Sequence, residues 1–176
     1  LVLEGARPLP SPLPCDVVFV LDTTVSMAPR LPTVKRSLSL AMDAIAALGP
    51  GIDPRFGIVL FRDSGEDYLV RLTPLGSARP AVDAALAGAL ALGGGDPAED
   101  LGAGIKAALA DPGWRAGGAR IVIALTDALA KPGLASAGAM AGLAGVKVCA
   151  VGLGPLEPAA EFALRKLAAQ TGAPYK

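Results

Sequence analysis

The chain has 176 residues, of which 52% are apolar and 18% charged, with sixteen basic residues balanced by sixteen acidic ones. That composition describes one globular domain with a real core and excludes a disordered chain. The neutral balance speaks against nucleic acid or an anionic membrane as partner, and the absence of histidine removes Ser-His-Asp catalysis, Cys-His catalysis and histidine-based zinc sites.

The chain begins with Leu1 rather than Met, as expected of a piece of a longer protein or of a processed one. ARPLPSPLP, from Ala6 to Pro14, holds four prolines in nine residues and reads as an extended linker over residues 1–14. Residues 15–176 then form a single domain. Val17 to Leu21 is a short β-branched run, hence a buried strand. Leu31, Val34, Leu38, Met42, Ile45 and Leu48 recur at helical spacing and predict a helix over Pro29 to Leu48. Phe56 to Phe61 is a second strand. Tyr68 to Leu72 is a third, reached too quickly for a crossover helix and therefore antiparallel. Val82 to Leu90 marks a helix ended by the glycines Gly93 to Gly95, and Leu101 to Leu109 marks the next. ARIVIALTDA is the most apolar strand. A small-residue helix over Leu134 to Leu143, a strand over Val146 to Val151, and a helix carrying Phe162 and Leu167 follow. The closing APYK resembles a strand cut short. This alternation predicts a mostly parallel sheet covered by helices on both faces, a doubly wound α/β domain.

The run Pro132 to Val146 is too short to span a bilayer, which takes about 20 apolar residues, so this domain is not expected to insert into a membrane. Cys15 and Cys149 read as small buried hydrophobes, with a disulfide as the alternative. The compartment stays open between extracellular and cytoplasmic.

Sites in such sheets lie beyond the carboxyl ends of strands, where strand order reverses. Two strands here end in aspartate, Asp22 and Asp127. Asp22, Thr24 and Ser26 alternate in the turn that follows the first strand, so one carboxylate and two hydroxyls can converge. Oxygen-only ligands suit Mg²⁺, Mn²⁺ or Ca²⁺ rather than zinc, and Mg²⁺ is the natural candidate. The alternative is that Thr24 or Ser26 only caps the following helix, with Pro29 in its first turn.

DVVFVLDTTVSM resembles the metal-ion-dependent adhesion site of von Willebrand factor A domains, Asp-x-Ser/Thr-x-Ser after the first strand. ALTDA, RFGIVLFRD and the glycine-rich GGGDPAED, in the form of hemicentin-like and bacterial members, resemble further motifs of that family in the right order. The resemblance implies a three-layer, Rossmann-like sheet of six strands with one antiparallel edge. It also implies a divalent cation whose last coordination place is filled by a partner's acidic side chain or by water. Carried over by position, Asp22, Thr24, Ser26 and Asp127 match the metal motifs. Val25 stands where the family usually has Gly, and Asp96 where integrin-type members have Thr. The sequence stops at the expected sixth strand, which leaves open whether a final helix is missing.

Asp96 opens DPAE, with Pro97 and Glu99 behind it, a helix-start signature. It is expected either to cap a helix only, or to cap and also supply a third carboxylate to the metal. Trp114 is expected to cover the core edge, Gly138 and Gly142 to allow close helix-on-sheet packing, and the charged turn Arg62 to Asp67 to be solvated. The residues point first to a metal-dependent module that binds another protein and has no chemistry of its own. Two alternatives remain: a haloacid-dehalogenase-like phosphoryl transferase with Asp22 as nucleophile and Thr126 at a strand end, and a scaffold of this family with a non-functional metal site.

Overall fold

A computed structural model describes residues 11–95 and 97–176. Most of the expected linker, residues 1–10, and Asp96 lie outside the described residues. The order along the chain is β1 (Leu13–Asp22), a 3-10 turn (Val25–Met27), α1 (Leu31–Ala46), β2 (Ile52–Phe61), β3 (Val70–Thr73) and α2 (Arg79–Gly88). There follow β4 (Ala98–Glu99), α3 (Leu101–Leu109), β5 (Ala119–Thr126), β6 (Leu129–Ala130), α4 (Leu134–Leu143), β7 (Lys147–Gly152) and α5 (Pro158–Thr171).

The main sheet has strand order β3-β2-β1-β5-β7. Strands β2, β1, β5 and β7 are parallel, and β3 is the antiparallel edge. Among the described residues this sheet has five strands where six were expected. The APYK segment makes only a single bridge, Tyr175 beside Ala150, because just the last residues after the left-handed Gly172 cap run along β7. β1 sends its connection to β2 on one side and pairs with β5 on the other, so strand order reverses between β1 and β5.

Alternation in β1 explains the layers. Val18 and Val20 face one core with Phe61, Val122, Ile105 and Leu167, whereas Val17, Phe19 and Leu21 face the other with Leu38, Met42 and Val82. Helices α3, α4 and α5 cover the first face, and α1 and α2 the second. Val17 to Leu21 are all buried, and each such side chain contributes about 1.5–3 kcal/mol. Any residue of β1 therefore has little freedom to slip, which fixes where its last residue emerges.

Several expectations change. Helix α3 starts at Leu101, not after Asp96: Asp100 is its cap and accepts from the Ala103 amide at 2.8 Å. Ala98 and Glu99 instead pair in parallel with Leu129 and Ala130. Helix α2 ends at Gly88, ahead of the glycine run. A Cβ at Gly138 would overlap Gln170, so this glycine serves helix-on-helix contact between α4 and α5 rather than helix-on-sheet packing. Cys15 and Cys149 are half-buried and free, on strands separated by β5. Trp114 packs on the core edge and donates to the Ala108 carbonyl at 2.8 Å.

At the opposite end of β1, Asp16 is wholly buried and accepts from the Arg115 amide at 2.7 Å, Arg115 Nε at 2.9 Å and Arg55 Nε at 3.2 Å. Burial pushes this carboxyl up, but the hydrogen bonds from Arg115 and Arg55 outweigh it and hold the acid below its ordinary range. A depressed carboxyl stabilises the fold above its unfolded value and loses that contribution as pH falls through the folded one. Asp16→Asn is expected to lower stability at neutral pH by about 3 kcal/mol. It should also flatten the acid limb of stability below about pH 4, as read by urea titrations across pH.

Candidate metal centre

The site is built where β1 and β5 end side by side. Their register pairs Leu21 with Leu125, so Asp22 and Thr126 leave the sheet as neighbours. Thr126 Oγ1 donates to Asp22 Oδ2 at 2.6 Å. The turn after β1 folds back on the same carboxylate: the Thr24 amide and hydroxyl both donate to Asp22 Oδ1, at 2.9 and 2.7 Å. Ser26 Oγ lies 3.1 Å from Thr24 Oγ1 and donates to Asp127 Oδ1 at 2.8 Å. Asp22, Thr24, Ser26 and Asp127 thus form one connected chain of oxygens. The helix-capping alternative fails, because Thr24 makes no side-chain cap and the hydroxyls turn to the carboxylates. Helix α1 begins later, at Leu31, with Pro32 rather than Pro29 in its first turn.

The turn is held from three sides. Thr23 donates through its amide and hydroxyl to the Phe61 carbonyl at 3.0 and 2.8 Å, and its hydroxyl shares a hydrogen bond with Tyr68. The glycine-rich segment lies along the turn: the Leu92 amide donates to the Thr23 carbonyl and the Val25 amide to the Gly93 carbonyl. Gly94 has φ +85°, and a Cβ on it would lie 3.2 Å from Thr24 Cβ. Its amide donates to Glu66 Oε1 at 2.9 Å. The charged turn is therefore not a solvated one. Arg62 and Asp63 are buried, Asp63 pairs with Lys131, and Glu66 anchors the glycine segment; of the four charged side chains Asp67 is the exposed one, and it lies 3.5 Å from Arg62. Val25 needs no left-handed backbone and points its side chain outward, so the missing glycine does not distort the turn.

Burial is graded. Asp22 and Thr24 are wholly buried, the Asp127 side chain is 5% exposed, and Ser26 is exposed at the rim. Burial raises the Asp22 carboxyl above its ordinary value, the Thr126 and Thr24 hydrogen bonds oppose that, and the nearby Asp127 adds to it. The donor set fits a hard cation on proton count. With both carboxylates ionised, the three contacts along Asp22–Thr24–Ser26–Asp127 share only two hydroxyl hydrogens. In the third, between Thr24 and Ser26 at 3.1 Å, the two hydroxyl oxygens lie side by side with lone pairs left over for a cation. A dication would also hold Asp22 ionised despite its burial. Among the described residues, no group of three or more His, Cys, Asp or Glu side chains is placed to hold a metal ion; Asp96 lies outside them. Beside the site runs a groove of about 270 Å³, lined by Ser26, Asp127, Leu129, Pro155 and Glu157.

The sequence profile of the von Willebrand factor type A domain matches residues 16–175. The chain belongs to the von Willebrand factor type A family. No curated protein sequence matches it. Among solved structures it is similar to the conserved hypothetical protein BatB from Bacteroides thetaiotaomicron, at 20% identity and TM-score 0.71, covering 92% of this chain and 88% of that one. It is similar to proximal thread matrix protein 1 from the mussel byssus, solved with zinc in its metal-ion-dependent adhesion site, at 18% identity and TM-score 0.72 over 93% of this chain. It spans 44% of the mussel protein. The pilus adhesin SpaC from Lactobacillus rhamnosus GG matches at 15% identity and TM-score 0.73, covering 93% of this chain and 28% of that one. These likenesses establish the three-layer fold of the family.

Arg30, which donates to Asp127 Oδ2 at 2.9 Å, escaped sequence reading because it carries no local signal, and Thr126 entered it only as the strand-end hydroxyl of the phosphoryl-transfer alternative. Thr126→Val keeps the shape but removes the donor to buried Asp22 and the acceptor of the Ala128 amide. It is expected to cost about 2 kcal/mol in chemical denaturation. Gly94→Ala should cost about 1–3 kcal/mol through its backbone conformation alone, measured the same way.

Proposed function

We propose that this domain is a divalent-metal-dependent protein-interaction module without chemistry of its own. Asp22, Thr24, Ser26 and Asp127 would hold Mg²⁺, or Mn²⁺ or Ca²⁺, with Asp96 as a further candidate on sequence grounds. An acidic side chain of a partner protein, or water, would complete the shell. The observation that carries this reading is the row of four oxygen-bearing side chains that two distant stretches of chain bring into one connected line. When bound, the ion supplies a Lewis-acidic point of attachment for a carboxylate. The protein's part is to fix the oxygens on rigid strand ends and to leave Ser26 exposed at the rim.

The donor atoms are hard oxygens, which favours Mg²⁺, Mn²⁺ or Ca²⁺. The zinc in the mussel protein's motif makes zinc a useful member of the test panel. The phosphoryl-transfer alternative is weakened by the state of Asp22. A nucleophile must reach a phosphorus atom, yet Asp22 is wholly buried with hydrogen bonds to both oxygens.

Thermal melts with Mg²⁺, Mn²⁺, Ca²⁺ and Zn²⁺ should raise the midpoint of the wild type, since a ligand at a hundredfold its dissociation constant adds about 2.7 kcal/mol. Asp22→Ala should abolish the rise. A wild-type midpoint indifferent to every ion would rule the module out as metal-dependent.

A further inference from the structure

The two carboxylates of the site are neutralised in different ways. Asp22 receives hydroxyls and one amide. Asp127 receives the Ser26 hydroxyl on Oδ1 and a full positive charge on Oδ2, the Arg30 guanidinium at 2.9 Å. Arg30 is placed for this contact. Its amide donates to the Met27 carbonyl at 2.9 Å, fixing the residue at the entry to α1. Its side chain lies against Gly154, in the loop between β7 and α5, where a Cβ would overlap the guanidinium. The same Nη1 also reaches toward the Ser26 carbonyl at 3.4 Å. At 32% exposure the guanidinium is neither fully hydrated nor free to swing away without leaving this seat.

On the metal reading above, we propose that Arg30 is a tethered counter-charge that sets how tightly the site holds a dication. A dication held by Asp127 would draw on the same carboxylate as the guanidinium, and the two like charges would repel. Local charge makes the sign clear. Among the described residues of the oxygen row, Asp22 and Asp127 supply two negative charges, and Arg30 cancels one of them before any ion arrives. The site is thereby tuned to bind a dication more weakly than its oxygens alone would allow. Removing the charge has two opposite effects. Asp127 loses its partner, which destabilises the protein in chelator. The dication loses a competitor, which strengthens its binding.

The test is Mn²⁺ binding by isothermal titration calorimetry, with melts in chelator and in Mn²⁺, on wild type, Arg30→Met and Arg30→Gln. Gln can still donate to Asp127 but carries no charge. Both variants are expected to bind Mn²⁺ about tenfold more tightly, the size of change that a near-surface charge can produce. They should melt lower than wild type in chelator and gain more from Mn²⁺. A merely structural role for Arg30 would lower both midpoints equally and leave affinity unchanged. Unchanged or weaker Mn²⁺ binding by folded Arg30→Gln, against measurable binding by wild type, would overturn the assignment of Arg30 alone. No binding by any of the three would overturn the metal reading itself, and this inference with it.

Discussion

The parallel pairing of β1 with β5 is the constraint on which the rest of the site depends. Seven consecutive residue pairs, from Cys15 with Ala119 to Leu21 with Leu125, lock the two strands in register. A slip of one residue would turn every buried side chain of β1 to the wrong core. Because Val17 to Leu21 are packed on both faces, that slip is closed. Asp22 and Thr126 therefore emerge together, and their hydrogen bond is a product of the ladder below it. The reversal of strand order at this pair opens a crevice for the turn after β1 to fold into.

Above the ladder, the site is held by polar contacts rather than by packing. The Thr23 and Thr24 side chains, the glycine segment and the Arg62 to Glu66 turn form a layered hydrogen-bonded frame around one buried carboxylate. Such a frame is expensive to leave half-satisfied in a low-dielectric setting. Its gain is fixed geometry. The oxygens that matter are aimed by neighbours that are themselves aimed, so little ordering remains for a ligand to impose.

The parts of this arrangement that sequence could show are those with a local signature. Asp22 and Asp127 stood out because a carboxylate ends each of two apolar strands, and Thr24 and Ser26 because they alternate with Asp22. The main strands and helices followed from periodicity, and the antiparallel edge from the shortness of the link between β2 and β3. What stayed hidden depended on distant partners. Asp96 and Asp100 compete for one helix start, and only the pairing of Ala98–Glu99 with Leu129–Ala130 decides for Asp100. The turn from Arg62 to Asp67 looked like a solvated charge run because Lys131 and Gly94, which bury it, lie far along the chain. The expected sixth strand is a single bridge, Tyr175 beside Ala150, held to β7 by three backbone hydrogen bonds at Pro174 and Lys176. Arg30 had no signal at all, because its partner Asp127 is brought to it only by the fold.

Gly154 gives the site an unusual kind of control. It carries no charge and bonds to none of the four oxygens, yet its bare α-carbon is the floor on which the Arg30 guanidinium rests. A single methyl group at that position would push a cation off its carboxylate, turning a change of bulk into a change of field. The loop between β7 and α5, already tied to the end of β5 through the Leu153 amide and the Thr126 carbonyl, is thus wired to the electrostatics of the centre as well.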